Sequence, residues 1–180
     1  KIEYGKAVID KVSWCEFSLS YSTLEVEKST ASLITSKYSN VLITDIFSLT
    51  ASSQYDVYKI TNCKRMNITS KYSNISSDQI IYDLQLDLTY GNCNIKHIST
   101  EFENINITGK YTDVTAPIAD GSCYQISANV DYGTLKYSPK ANIDRHVSSI
   151  GTSVNGFIGC KGNANSKVSI DCKYGDVRLF

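Results

Sequence analysis

The sequence predicts an all-β fold, a single parallel β-solenoid of about ten rungs of 17–22 residues each, and three observations carry that prediction. A tyrosine recurs at Tyr4, Tyr21, Tyr38, Tyr55, Tyr72, Tyr90, Tyr111, Tyr132 and Tyr174. The spacing is 17 to 21 residues as far as Tyr132 and 42 from there to Tyr174, with a degenerate copy centred on Val154 in the gap. A fixed period near 20 residues, written in strand-forming residues, marks units that each make one coil and bury their apolar face only by stacking. Second, apolar or small residues stand six, four and two positions before the tyrosine, as in Leu84, Leu86, Leu88 and Ile126, Ala128, Val130. That period of two belongs to side chains on one face of a strand. Third, turn formers follow the tyrosine at Gly5, Ser22, Ser39, Asp56, Ser73, Gly91, Thr112, Gly133 and Gly175, residues that tolerate tight or left-handed backbone.

Each rung then reads in order. A long strand ends at the tyrosine, a corner follows, and a second inward strand starts three residues on, at Leu24, Val41, Tyr58, Ile75, Cys93, Val114, Leu135, Phe157 and Val177. A third short side carries Val12, Ile46, Cys63, Ile81, Phe102 and Cys123 nine residues before the tyrosine. Rungs stacked about 4.8 Å apart place like residues above one another. The phase of the strand puts Tyr21, Tyr38, Tyr55, Tyr72, Tyr90, Tyr111, Tyr132 and Tyr174 in an inward ladder of stacked rings. Truncating such a ring, Tyr72 for example, would cost about 3 to 5 kcal/mol.

Other periodic folds fit less well. Leucine-rich repeats need a different leucine frame, hexapeptide helices need a six-residue sub-period, and an immunoglobulin-like sandwich gives no reason for the same tyrosine in every copy. One domain over 1–180 is expected, more regular over 4–95 and with lengthened rungs over 96–180. Eighteen basic and eighteen acidic residues cancel, so nothing drives the chain toward nucleic acid or an anionic membrane. No apolar run approaches the ~20 residues of a membrane span. The chain opens inside a repeat, which is read as a trimmed start, and Val177, Leu179 and Phe180 end the last rung without an obvious cap. Open rung ends point to end-to-end self-association.

Six cysteines are present. Cys63 and Cys123 share a column three rungs apart, beyond the reach of a disulfide. Cys93 and Cys172 read as small core residues. Cys160, in the irregular stretch from Gly159 to Asn165, is the one thiol placed to pair or react.

Chemistry-bearing motifs are scarce. His97 and His146 stand alone, no nucleophile elbow, zincin or phosphate-loop motif occurs, and no catalytic residue, metal or cofactor is assigned. Asp87 and Asp171 share an outward position four copies apart, too far for a glycosidase pair. Asp131 is expected one rung beyond Lys110 as an exposed ion pair. The sequons at Asn67, Asn74 and Asn106 are of the number an Asn-, Ser- and Thr-rich chain makes by chance.

The candidate binding surface is the outward face of the long strand. Ser18, Thr35, Ser52, Thr69, Asp87, Thr108 and Asn129 stand three before the tyrosine, beside Ser20, Lys37, Gln54, Lys71, Thr89, Lys110, Asp131 and Lys173. Such a face suits either plain solvation or a broad contact with glycans or a partner protein.

The repeated I-x-S/G-x-Y-[SGT]-[ND]-[VI] unit, at Ile68 to Ile75, Ile107 to Val114 and Ile170 to Val177, resembles the β-solenoid repeats of bacterial adhesin families, including the head GIN domain common in Bacteroidetes. The resemblance covers nearly the whole chain. It implies a right-handed parallel β-solenoid, exported to the periplasm, cell surface or exterior, with no assigned catalytic residues. The expectation is therefore a non-enzymatic adhesin-like binding or scaffold module, with a carbohydrate-active enzyme or a self-assembling spacer as alternatives.

Overall fold

The computed structural model describes residues 1–139 and 141–180. Its strands are β1 (Ile2–Glu3), β2 (Lys6–Ser20), β3 (Thr23–Lys37), β4 (Asn40–Gln54), β5 (Val57–Ile98), β6 (Asn104–Thr115), β7 (Tyr124–Asp131), β8 (Leu135–Lys136), β9 (Ala141–Val147), β10 (Gly151–Ile158), β11 (Ser166–Lys173) and β12 (Val177–Arg178). All belong to one sheet wound into a β-solenoid of about seven turns, fewer than the ten copies counted in the sequence. From β1 to β4 each strand pairs in parallel with the next at an offset of 17 residues, and β5 is long enough to hold two successive coils. Pairing between β2 and β3 skips Asp10 and Ser13. These bends divide the coil into the three sides read from the sequence.

The core follows from the columns. Leu49, Ala51, Met66, Ile68, Leu84, Leu86, Ile105, Ile107, Val168 and Ile170 are all buried on the long side. Leu24, Val41, Tyr58, Ile75, Cys93, Val114, Leu135 and Val177 are buried after the corner. On the third side Ile80, rather than Ile81, is the buried residue. The extra residue in that coil shifts the phase by one.

The tyrosines stack as expected but do not face inward. Consecutive ring centroids lie 4.7 to 5.2 Å apart with planes within 14° of parallel. Yet from Tyr21 onward the ladder residues are 39 to 53% exposed. The cause is in the backbone: every ladder tyrosine has φ between 48° and 58°. A left-handed residue breaks the two-residue alternation, so the ring turns outward and the following residue turns in. Ser22, Ser39, Asp56, Ser73 and Thr112 are accordingly buried. The turn chemistry read into those residues thus resides in the tyrosine itself.

The inward corner residues form a second ladder. The Ser22 N–H donates to Ser39 Oγ at 3.2 Å, the Ser39 N–H to Asp56 Oδ1 at 2.7 Å and the Asp56 N–H to Ser73 Oγ at 3.1 Å. In the coil above Ser73 the backbones approach too closely for a side chain. A Cβ on Gly91 would lie 2.1 Å from the Ser73 carbonyl oxygen, and one on Gly175 would lie 2.0 Å from that of Thr112.

The last third departs from sequential stacking. Strand β11 lies between β6 and β7: Ile107 faces Ile170, which faces Ala128, and Gly109 faces Cys172, which faces Val130. Gly109 is without a side chain because a Cβ there would meet Cys172 Sγ at 2.9 Å. The Val154 copy is no coil at all. Strand β10 pairs antiparallel with β7, with Val154 opposite Ala128, and β9 pairs antiparallel with β10. Phe157 therefore falls outside the inward column and is only partly buried. The end of the rod is covered by this β9–β10 hairpin, and the final residues lie inside the stack rather than forming an uncapped last rung.

The hairpin is tied down by a disulfide between Cys123 and Cys160, with Cα atoms 5.4 Å apart. Cys160, the thiol placed to pair, is bonded as that placement allows, and Cys123 leaves the core column assigned to it. Cys63, Cys93 and Cys172 are buried free thiols. Burial pushes each of them up to about 12.

Candidate functional site

All seven residues of the outward column, Ser18, Thr35, Ser52, Thr69, Asp87, Thr108 and Asn129, are exposed. The parallel register aligns Ser18, Thr35, Ser52 and Thr69, and later Asp87, Thr108, Asp171 and Asn129. Their side chains alternate with the buried columns, so the core packing that sets the register also sets the spacing of the polar groups. A shallow trough of about 500 Å³ runs over this face, lined by Ser18, Thr35, Ser52, Thr69 and Asp87 together with Lys37, Gln54, Lys71 and Thr89.

One border of the trough is the tyrosine ledge. Lys37 lies 5.3 Å from the Tyr38 ring, Lys71 5.6 Å from Tyr72, Lys110 5.8 Å from Tyr111 and Lys173 5.5 Å from Tyr174. Each lysine immediately precedes its tyrosine, and the left-handed turn folds the ring back beside the ammonium group. These contacts hold the cations with modest strength. Among the described residues none of the four lysines makes an ion pair with a carboxylate.

The other border is polar and was not foreseen. Arg65 donates through Nη1 to Asp83 and through Nη2 to Glu103 at 3.4 Å, and Asn104 Nδ2 donates to Asp83 Oδ1 at 3.2 Å. A second hollow of about 340 Å³ lies there, lined by Ser48, Thr50, Arg65, Asn67, Gln85 and Asn106 among others. The signal was present in the same alignment, seven and five residues before the tyrosine, where Arg65, Asp83, Asn104, Asn67, Gln85 and Asn106 recur as amides and charges.

Two sequence expectations are corrected by the insertion of β11. Asp87 and Asp171 are separated by Thr108 alone, two coils rather than four. Asp131 sits beside Lys173 and not beside Lys110, because the Tyr174 coil intervenes. Asn67, Asn74 and Asn106 are exposed, as are His97 and His146. Among the described residues, no group of three His, Cys, Asp or Glu side chains is placed to hold a metal ion, and no helix is long and apolar enough to cross a membrane.

Fold and face together define a β-solenoid repeat protein with an open, hydroxyl- and amide-rich sheet bordered by an aromatic and lysine ledge. Protein-family models, curated proteins and solved structures yield no match to the chain.

Proposed function

We propose that the chain is a non-enzymatic, exported or cell-surface adhesin-like binding module whose long polar face engages glycans or a surface protein. The observation that carries the reading is the continuous exposed column from Ser18 to Asn129, open along its length and backed by a rigid stack of coils. Contacts that are weak singly multiply along such a repeat. The Cys123–Cys160 disulfide supports an oxidising location outside the cytosol. Self-association through rung ends belongs to this proposal at one end only, since the edge strand β9 closes the other with Asp144, Arg145 and His146. The test is a glycan array and pull-down with the intact chain beside Thr35→Glu and Thr69→Glu, which fill the trough without touching the core. Ligands held by the parent and lost by both variants support the reading. Equal retention by the variants overturns it.

A carbohydrate-active enzyme is the second reading, favoured by Asp87 and Asp171 on one face two coils apart, near the wide carboxylate spacing of inverting glycosidases. Polysaccharide cleavage abolished by Asp171→Asn would establish it in place of the binding module.

A further inference from the structure

Three of the four ledge lysines, Lys37, Lys71 and Lys110, occupy alternate coils, and the fourth, Lys173, follows Lys110 in the adjacent coil. The first three are separated by Gln54 and Thr89. Neighbours among these three are two coil spacings apart, with ring centroids 4.9 Å from Tyr38 to Tyr55 and again from Tyr55 to Tyr72, then 4.8 and 4.9 Å from Tyr72 through Tyr90 to Tyr111. Each ammonium is held against a ring that is itself clamped between two others, so the charges keep this interval. Between Lys37 and Lys71 stand only hydroxyls and amides. Over 31–37, 48–54 and 65–71, the long sides that end at Tyr38, Tyr55 and Tyr72, there is no carboxylate. In a chain of zero net charge, this stretch of the trough is locally cationic.

Resting on the glycan-binding reading above, we infer that this trough takes a linear acidic polysaccharide that presents one carboxylate or sulfate per disaccharide to the protein. An extended, twofold chain of 1,4-linked sugars repeats its charge at every second ring, a length that matches two coils of the solenoid. The anionic groups sit on Lys37, Lys71 and Lys110, while Thr35, Ser52, Gln54 and Thr69 contact the sugar hydroxyls between. Asp87, lining the same trough, stands in the coil between Lys71 and Lys110 and repels the anions seated on either side. Asp171 and Asp131 bound the stretch in the coils beyond Lys110. A DNA duplex fits poorly, because each of its strands places a phosphate about every 3.4 Å of helix axis.

The test measures binding of the intact chain to immobilised polyuronate, a sulfated disaccharide polymer, a neutral 1,4-linked glucan and oligothymidylate, at low and high salt. The expected result is binding to one or both acidic polysaccharides, weakened by salt, and little binding to the glucan or oligonucleotide. Lys37→Gln with Lys71→Gln should weaken it about tenfold or more, and Asp87→Asn should tighten it. Lys59→Gln, on another side of the coil, should leave it unchanged. All variants are at exposed positions, and an unchanged circular dichroism spectrum and melting temperature confirm their fold. Equal binding of the glucan overturns the charge assignment and leaves the glycan reading standing. No binding of any polysaccharide overturns both. Equal binding of oligothymidylate, or an equal loss in Lys59→Gln, shows generic charge attraction and overturns the inference.

Discussion

Tyr111 stacks on Tyr174, with ring centroids 4.7 Å apart and planes 5° from parallel, and Tyr132 stacks on the far side of Tyr174 at 4.8 Å. The last tyrosine of the chain therefore lies inside the ladder. Strand β11 is paired on both edges, so its amides, Val168 to Cys172, should exchange with solvent as slowly as those around Ile68 in a central coil. Hydrogen exchange resolved by residue checks this. Exchange as fast as in a fraying terminus would contradict the inserted position.

The exposure of the ladder lowers the cost of truncating it. Tyr72 is 42% exposed, so Tyr72→Ala should destabilise the fold by about 1–2 kcal/mol, the stacking and partial burial of one ring, rather than the 3 to 5 of an inward residue. Tyr72→Gly should cost no more than Tyr72→Ala, because glycine accepts the φ of 57° without strain. Urea unfolding of both variants measures the order. Alanine proving clearly the milder would place the residue in ordinary extended backbone.

Asp56 is the one carboxylate among the buried corner residues, and its oxygens are fully engaged. Oδ2 accepts from Ser36 Oγ at 2.7 Å, Ser53 Oγ at 2.8 Å and the Gln54 N–H at 3.0 Å, and Oδ1 accepts from the Ser39 N–H. The buried Tyr58 hydroxyl joins through Ser36 at 2.6 Å. Asp56→Ala leaves several buried donors without an acceptor and should cost about 2–4 kcal/mol. Asp56→Ser, which restores the residue of neighbouring coils, should cost less. Equilibrium unfolding of the pair decides.

The Cys123–Cys160 bond spans 37 residues of sequence and anchors the hairpin of β9 and β10. Replacing both cysteines by serine should lower stability by about 2–4 kcal/mol. The loss should concentrate in the hairpin, read as faster exchange at Thr152 to Ile158 with the coils from Thr23 to Lys71 unchanged. Uniform acceleration along the chain would show that the bond stabilises the whole rod instead.

Cys63 and Cys93 have native thiol values pushed up to about 12 by burial, against an ordinary value of 9.0. The folded state holds these protons more tightly than the unfolded chain. Their contribution is complete below about pH 9 and is lost as pH rises toward 12, by about 4 kcal/mol per thiol at most. Stability measured from pH 8 to 11 should therefore fall. The Cys63→Ala, Cys93→Ala double variant should fall less steeply. In the native protein a thiol reagent at pH 8 should modify Cys15, which is only partly buried, well before the other three. Rapid labelling of Cys63 would refute its burial.

The repeat, the three-sided coil, the buried columns and the exposed polar column from Ser18 to Asn129 were all legible in the residues. Each is a local period, and the alternation of side chains turns a period directly into a face. The outward turn of the tyrosines was not legible, because a single left-handed residue at the corner inverts the phase and tyrosine is no common bearer of that conformation. The neighbours of Asp171 and Asp131, the partner of Cys160 and the hairpin at Val154 were hidden for a different reason. Coils built on one template can pair in parallel with any other, so adjacency in the stack is set by long-range fit, such as Gly109 making room for Cys172, and that fit exists only once the chain has folded.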